Sequence, residues 1–301
     1  IGWGGSGTIG WGGAPLQRRG QRPDCTPAQR AGLSRDVDLL LEPDRDLYGR
    51  YWGRQGKGFP VSRDSMLGAS APHGHQGARR RLQEAAAKLM DRDRTVKIAV
   101  LGGSVTVGHG SNTSWPRRLE ELFGDLGYKV SVSNLAHSAI TSKWAAAHAS
   151  QLSKRLRPAD IVLVDYTVND RDREWNDTGG YTGGGRQVRA VFRELMSLLI
   201  NLPQRPAVMA IETFALHRGI PNCSDSTTDV RTFPHWGVEE ELRIPVLDYS
   251  SAVCPSGGPH WFRCLDDLYE SCPMEVRNGH PGPFTHDVLA RTIPGSVSPP
   301  A

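Results

Sequence analysis

Residues 95–110 read TVKIAVLGGSVTVGHG. Val96, Ile98, Ala99, Val100 and Leu101 form an apolar run of strand length, Gly102 and Gly103 end it, and Ser104 follows at once. A short continuous apolar run closed by turn residues is the pattern of a strand buried on both faces of a parallel sheet. In an open α/β sheet, ligands bind at the carboxyl ends of the strands. A serine set there by two glycines offers a hydroxyl and a backbone N–H to the same space. Alone, the stretch also fits a tight turn whose serine caps the next segment. The rest of the chain decides between them.

Downstream, Ser114 stands where a cap belongs for a helix with Trp115, Leu119, Leu122, Phe123 and Leu126 on one face, and Gly127 ends it. KVSVSNL at 129–135 is the next strand, and 144–156 has helical spacing up to Pro158. IVLVDYTV (161–168), AVMAIETF (207–214) and PVLDY (245–249) supply three more strands, with a helix over 188–199 between the first two. A short helix is expected after His280. Strands alternating with helices imply parallel pairing with right-handed crossovers. Five strands predict a three-layer α/β domain.

Upstream, Leu82, Ala85, Ala86 and Leu89 recur at helical spacing. Before them, residues 1–77 hold IGWGG twice and then Arg-, Pro- and Gly-rich sequence with little periodicity. That composition buries little apolar surface, so the stretch is expected to be an irregular, disordered arm ahead of a domain over 78–301.

The 301 residues suffice for a full core, and the net charge of +4 gives no basic field that would point to nucleic acid. No apolar run approaches membrane-spanning length. Four of the five cysteines (Cys223, Cys254, Cys264 and Cys272) fall in one late segment, which suits two disulfides and leaves Cys25 over. Asn112, Asn176 and Asn222 begin glycosylation sequons. Together these lean toward a secreted or lumenal glycoprotein. A zinc site through Cys264, Cys272, His280 and His286 lacks the short paired spacing of structural sites.

Polar residues gather at three strand ends. Ser104 follows the first, Asn134-Leu-Ala-His-Ser-Ala139 the second, and Thr167-Val-Asn169-Asp170 the third; His280 stands far downstream in a Pro/Gly turn. A serine nucleophile needs a base, and the oxyanion it generates needs preorganised donors. These segments offer one of each.

In this order the segments resemble the SGNH (GDSL-type) hydrolase family over about residues 96–290. GGSVT at 102–106 is similar to the block GDSxT, with Gly103 for the aspartate. NLAHSAITS at 134–142 is similar to NxGxxGxTS, with Ala136 and Ala139 in the glycine positions. TVND at 167–170 resembles GxND, and HPGPFTH at 280–286 resembles HPxxxGH. The resemblance implies a flavodoxin-like fold and hydrolysis of esters of lipids, acetylated sugars or small acyl compounds, with no metal or cofactor. It implies Ser104 as nucleophile and His280 as general base. The oxyanion donors would be the backbone N–H groups of Ser104 and Ala139 and the side chain of Asn169.

One position departs from the family in a way that bears on mechanism. The family's acid lies three residues before the histidine, where this chain has Arg277. A cation there opposes an imidazolium. Loss of a competent acid costs about 10⁴ in turnover in a serine protease. Glu275 is the best substitute carboxylate, and Asn278 could orient the ring without charge. The expectation is an impaired dyad acting on a small-molecule or carbohydrate ester. The alternatives are a non-catalytic binding module and an acyltransferase using the same serine. A Rossmann nucleotide site would need glycine at position 104.

Overall fold

A computed structural model of the chain describes residues 62–69, 76–172, 185–213, 230–254 and 280–297, with Ala31, Gly32, Arg35, Asp36 and Leu39. Its centre is a five-stranded sheet of β1 (Val96–Gly102), β2 (Val130–Asn134), β3 (Ile161–Asp165), β4 (Ala207–Glu212) and β5 (Val246–Asp248). Every pairing is parallel and the order is β2-β1-β3-β4-β5. That is the flavodoxin-like order, with its topological switch between β1 and β3.

Helices cover both faces. On one lie α1 (Arg63–Gly68), α2 (Gln76–Met90), α4 (Trp115–Asp125), α10 (Tyr249–Val253) and α11 (Pro283–Val297). On the other lie α5 (Ser142–Ala147), α6 (Ala149–Leu156), α8 (Gly185–Ile200) and α9 (Trp236–Leu242). The short helices α3 (Ser104–Val107) and α7 (Thr167–Asp172) stand directly after β1 and β3. Alternation along the strands feeds the two layers: Val96, Ile98 and Val100 face one core, Ala99 and Leu101 the other. Strands β3 and β4 do the same, with Leu163 and Met209 on the first side and Val164 and Ala210 on the second. Side chains two apart share a face, so a near-continuous apolar run serves two cores at once.

Several local expectations are corrected. The strand expected over 161–168 ends at Asp165, and Thr167-Val-Asn169-Asp170 is the first turn of α7. The Asp170 N–H bonds the Tyr166 carbonyl, which starts helical pairing where a strand was expected. The single helix expected over 144–156 is two helices that meet at His148 (φ −103°, ψ 17°). Within the stretch read as irregular, Arg63–Gly68 is helical, and Ala69 is fully buried with its carbonyl accepting from the Asp248 N–H. Among the described residues no helix is long and apolar enough to cross a membrane.

Candidate active site

The two glycines at the end of β1 are each required by a close approach. A Cβ on Gly102 would lie 2.0 Å from Thr106 Oγ1 and 2.7 Å from the Asp165 carbonyl. A Cβ on Gly103 would lie 2.2 Å from Asn169 Oδ1. The chain therefore turns tightly against β3, and the Gly103 N–H bonds the Asp165 carbonyl at 3.2 Å. Ser104 opens α3, so its own N–H has no acceptor within the helix. Its side chain is half-buried at the carboxyl edge of the sheet.

His280 reaches that edge from 176 residues away, placing Nε2 2.9 Å from Ser104 Oγ. The ring is half-buried, and His109 packs against it with ring centroids 4.8 Å apart. Burial, aided by the charge His109 can carry, lowers the His280 pKa below the ordinary histidine value. The imidazole is thereby kept neutral, as a proton acceptor must be. Its Nδ1 is buried with no hydrogen-bond partner among the described residues. Glu275, Arg277 and Asn278 lie outside the described residues, as do Cys25, Cys223, Cys264 and Cys272.

The loop after β2 is tied to the same edge. The His137 N–H bonds the Gly102 carbonyl at 3.1 Å, and Asn134 Nδ2 bonds the Thr106 carbonyl at 2.9 Å. Asn134 Oδ1 also accepts from the Ala136 N–H, which curls the loop back on its own strand. Ala139 has φ 61°, the left-handed region. That conformation favours glycine, and this is the position where the resembling block carries one. An L-residue does adopt the turn here.

Asn169 is half-buried in the first turn of α7, against Gly103. Beneath it the helix is pinned by buried polar groups. Thr167 Oγ1 donates to Glu212 Oε2 at 2.9 Å, and Asp170 Oδ1 accepts from the Ser142 N–H at 3.0 Å. Asp165, below the Ser104 turn, accepts from Thr106 Oγ1 at 2.7 Å and from Trp115 Nε1 and Thr213 Oγ1 at 3.3 Å each. Burial raises its pKa to about 6; the Thr106 bond opposes the rise and Glu212 adds to it.

Ser104, Asn169 and His280 thus meet at the ends of β1 and β3. A hydroxyl on a neutral imidazole beside an amide is a set of groups able to form and stabilise a tetrahedral acyl intermediate. Two features escaped the sequence reading. His109 gave no signal beyond its nearness to Ser104. Glu212 had one: it is a carboxylate at the end of an otherwise apolar strand, at the edge where ligands and polar networks gather.

No protein-family model matches the chain, and no curated protein matches it. Among solved structures it is similar to a two-domain esterase active on acetylated mannans, with TM-score 0.49 and 18% identity over 72% of this chain and 54% of that one. It is similar to TesA with TM-score 0.47 and 17% identity, over 65% of this chain and 95% of that one. AlinE4, an SGNH-hydrolase family esterase, gives TM-score 0.40 and 15% identity, over 52% of this chain and 76% of that one. The chain spans about half the length of the two-domain esterase. These likenesses are ones of fold.

Proposed function

We propose that the protein is a serine esterase of SGNH type that hydrolyses carboxylic esters through an acyl-enzyme, with Ser104 as nucleophile and His280 as base. The observation that carries this reading is the 2.9 Å contact between His280 Nε2 and Ser104 Oγ. His280 takes the hydroxyl proton as Ser104 Oγ bonds to the ester carbon, and the carbonyl oxygen becomes an oxyanion. The N–H groups of Ser104 and Ala139 and the amide of Asn169 stabilise that charge. His280 then gives its proton to the departing alcohol, and water resolves the acyl-enzyme by the same steps in reverse. An acetylated carbohydrate, a lipid or a small acyl ester is the substrate class.

The pair works as an impaired dyad, because the family's acid position is held here by Arg277. Glu275 is the substitute carboxylate in this proposal. Residues 78–301 form the hydrolase domain, and from the stretch 1–77 Arg63–Gly68 and Ala69 pack onto it. The late cysteines pair two by two, and Asn112, which is exposed, carries a glycan in a secretory compartment.

A serine-directed fluorophosphonate tests the assignment. Mass spectrometry should find one adduct on Ser104, and Ser104→Ala should lose both the adduct and hydrolysis of a short p-nitrophenyl ester while melting like the wild type. Labelling at another residue, or none, would return the chain to the non-catalytic binding module.

A further inference from the structure

His235 sits at the bottom of the site with only 1% of its surface exposed, and both its ring nitrogens meet carboxylates. Nε2 is 2.9 Å from Asp170 Oδ2, and Nδ1 is 2.9 Å from Glu212 Oε1. Phe192 stacks on the ring at 3.8 Å between centroids and 12° between planes. Asp170 and Glu212 are themselves 0% and 1% exposed. Two acceptors facing one imidazole require two N–H donors, which only the imidazolium supplies. Burial opposes that charge, but the Glu212 carboxylate and the bonds to Asp170 and Glu212 outweigh it and hold the His235 pKa well above the ordinary value. Glu239, fully buried beside Glu212, has its pKa raised well above the carboxylate range by burial and then by the Glu212 charge.

The cluster joins four elements that no local contact would hold together. Asp170 belongs to α7 and also accepts from Ser142 at the start of α5. Glu212 ends β4 and also accepts from Thr167 in α7. His235 and Glu239 belong to the start of α9. Helix α7 is six residues long and is gripped at Thr167 and Asp170, on either side of Asn169.

We propose that Asp170, His235 and Glu212 are positioning residues for the reaction, a buried charged chain whose task is to hold Asn169 at the oxyanion. This rests on the oxyanion role assigned to Asn169 above. A displacement of about 1 Å in a group that stabilises a transition state can cost about 10²-fold in rate. Uncoupling the chain should therefore lower kcat by about that factor and leave KM unchanged.

A divalent cation on Glu212, His235 and Glu239 is the competing occupant, since one ligand atom from each lies within 4.8 Å of the others. The geometry favours protons. Both His235 contacts have N–H···O length, and a metal on Nδ1 would have to replace the Glu212 bond.

The test is a double-mutant cycle on the full chain, with p-nitrophenyl acetate as substrate. Asp170→Ala should cut kcat about 10²-fold at constant KM in the wild-type background, and at least tenfold less in an Asn169→Ala background. Equal losses in the two backgrounds would overturn the proposal. Asp170→Asn guards against a folding failure of the alanine variant. Its carbonyl can keep the Ser142 bond while its NH₂ donates to a neutral His235, so kcat should stay within a few-fold of wild type. An asparagine variant that melts normally but is as slow as alanine would overturn the proposal too. So would a stoichiometric metal in the purified wild type that is absent from Glu239→Gln. An active wild type with an additive cycle refutes this inference alone, whereas a wild type with no Ser104-dependent activity refutes the esterase reading and this with it.

Discussion

The Asn169 side-chain amide lies against the Cα of Gly103, so close that a Cβ there would stand 2.2 Å from Oδ1. The resembling block has aspartate at this position, and in this chain Asn169 occupies the space that such a side chain would enter. The residue before the nucleophile and the proposed oxyanion donor are therefore packed as one unit.

Gly103→Ala should push Asn169 aside while sparing the sheet, because the clash is with a side chain rather than with backbone. Loss of an oxyanion donor is worth about 2.7–4 kcal/mol in a comparable site. Turnover should fall by about 10²–10³, matching Asn169→Ala, with KM little changed. Steady-state kinetics on the two single variants and the double checks this. A double variant no slower than either single one is the expected result, and a rise in KM at constant turnover would make Asn169 a ground-state binder.

Ala139 holds φ 61° without being glycine. The left-handed conformation costs an L-residue roughly 1–2 kcal/mol, and glycine relieves that cost while adding flexibility to the unfolded chain. Ala139→Gly should therefore stabilise the protein by about 0.5–1 kcal/mol, raising Tm by about 1–4 °C, with turnover kept. A calorimetric scan decides it. A lower Tm would mean that the Ala139 methyl group makes contacts worth more than the strain.

His286 is fully buried in α11, with neither ring nitrogen bonded among the described residues. Burial, then the nearby His280, hold its pKa down at about 3. The unfolded chain, with a histidine pKa of about 6.5, binds the proton first on acidification. The contribution of this group to stability is thus complete above about pH 6.5 and falls by about 1.4 kcal/mol per pH unit below it. His286→Leu should flatten the acid limb of a Tm–pH curve between pH 7 and pH 4. Parallel limbs in the variant and the wild type would refute a buried neutral imidazole.

Glu275 and Arg277 fall outside the described residues, and kinetics can place them. With Glu275 as the acid, Glu275→Gln should cut turnover by about 10⁴, the scale seen when a triad loses its carboxylate; a true dyad would hardly respond. Arg277→Asp should raise turnover if the position is vacant, since a carboxylate beside His280 stabilises the imidazolium formed during reaction.

The pH profile of kcat/KM follows from His280. Burial and the adjacent His109 lower its pKa, so the base is already neutral below the pH at which a free histidine would be. The acid limb should begin below about pH 6.5, and His109→Ala should move it upward by removing a neighbouring positive charge. A limb above that value, unmoved by the variant, would assign the titration to another group.

Much of the fold was legible in the chain. Five apolar runs with turn residues behind them are the five strands, and alternation within them sorted side chains into two cores. Ser104 and Asn169 could be placed at the ligand edge because that edge is defined by chain direction alone. Errors arose where neighbours overrode local pattern. Tyr166-Thr-Val reads as strand, yet Asp165 is held by Thr106 and Trp115, and Thr167 by Glu212, so the chain turns helical. At 148, His148 Nδ1 bonds the Trp144 carbonyl and its ring stacks on Trp144 where two helices meet.

The sequence by itself determined the strand and helix pattern, the direction of the sheet edge and the residue types brought to it, because these depend on backbone pairing and burial over a few residues. Tertiary structure alone decided that His280 touches Ser104 across 176 residues, and that Asp170, His235 and Glu212 form one buried chain across 65 and 23. Such contacts are set by how loops close and layers pack, and no local periodicity carries that information.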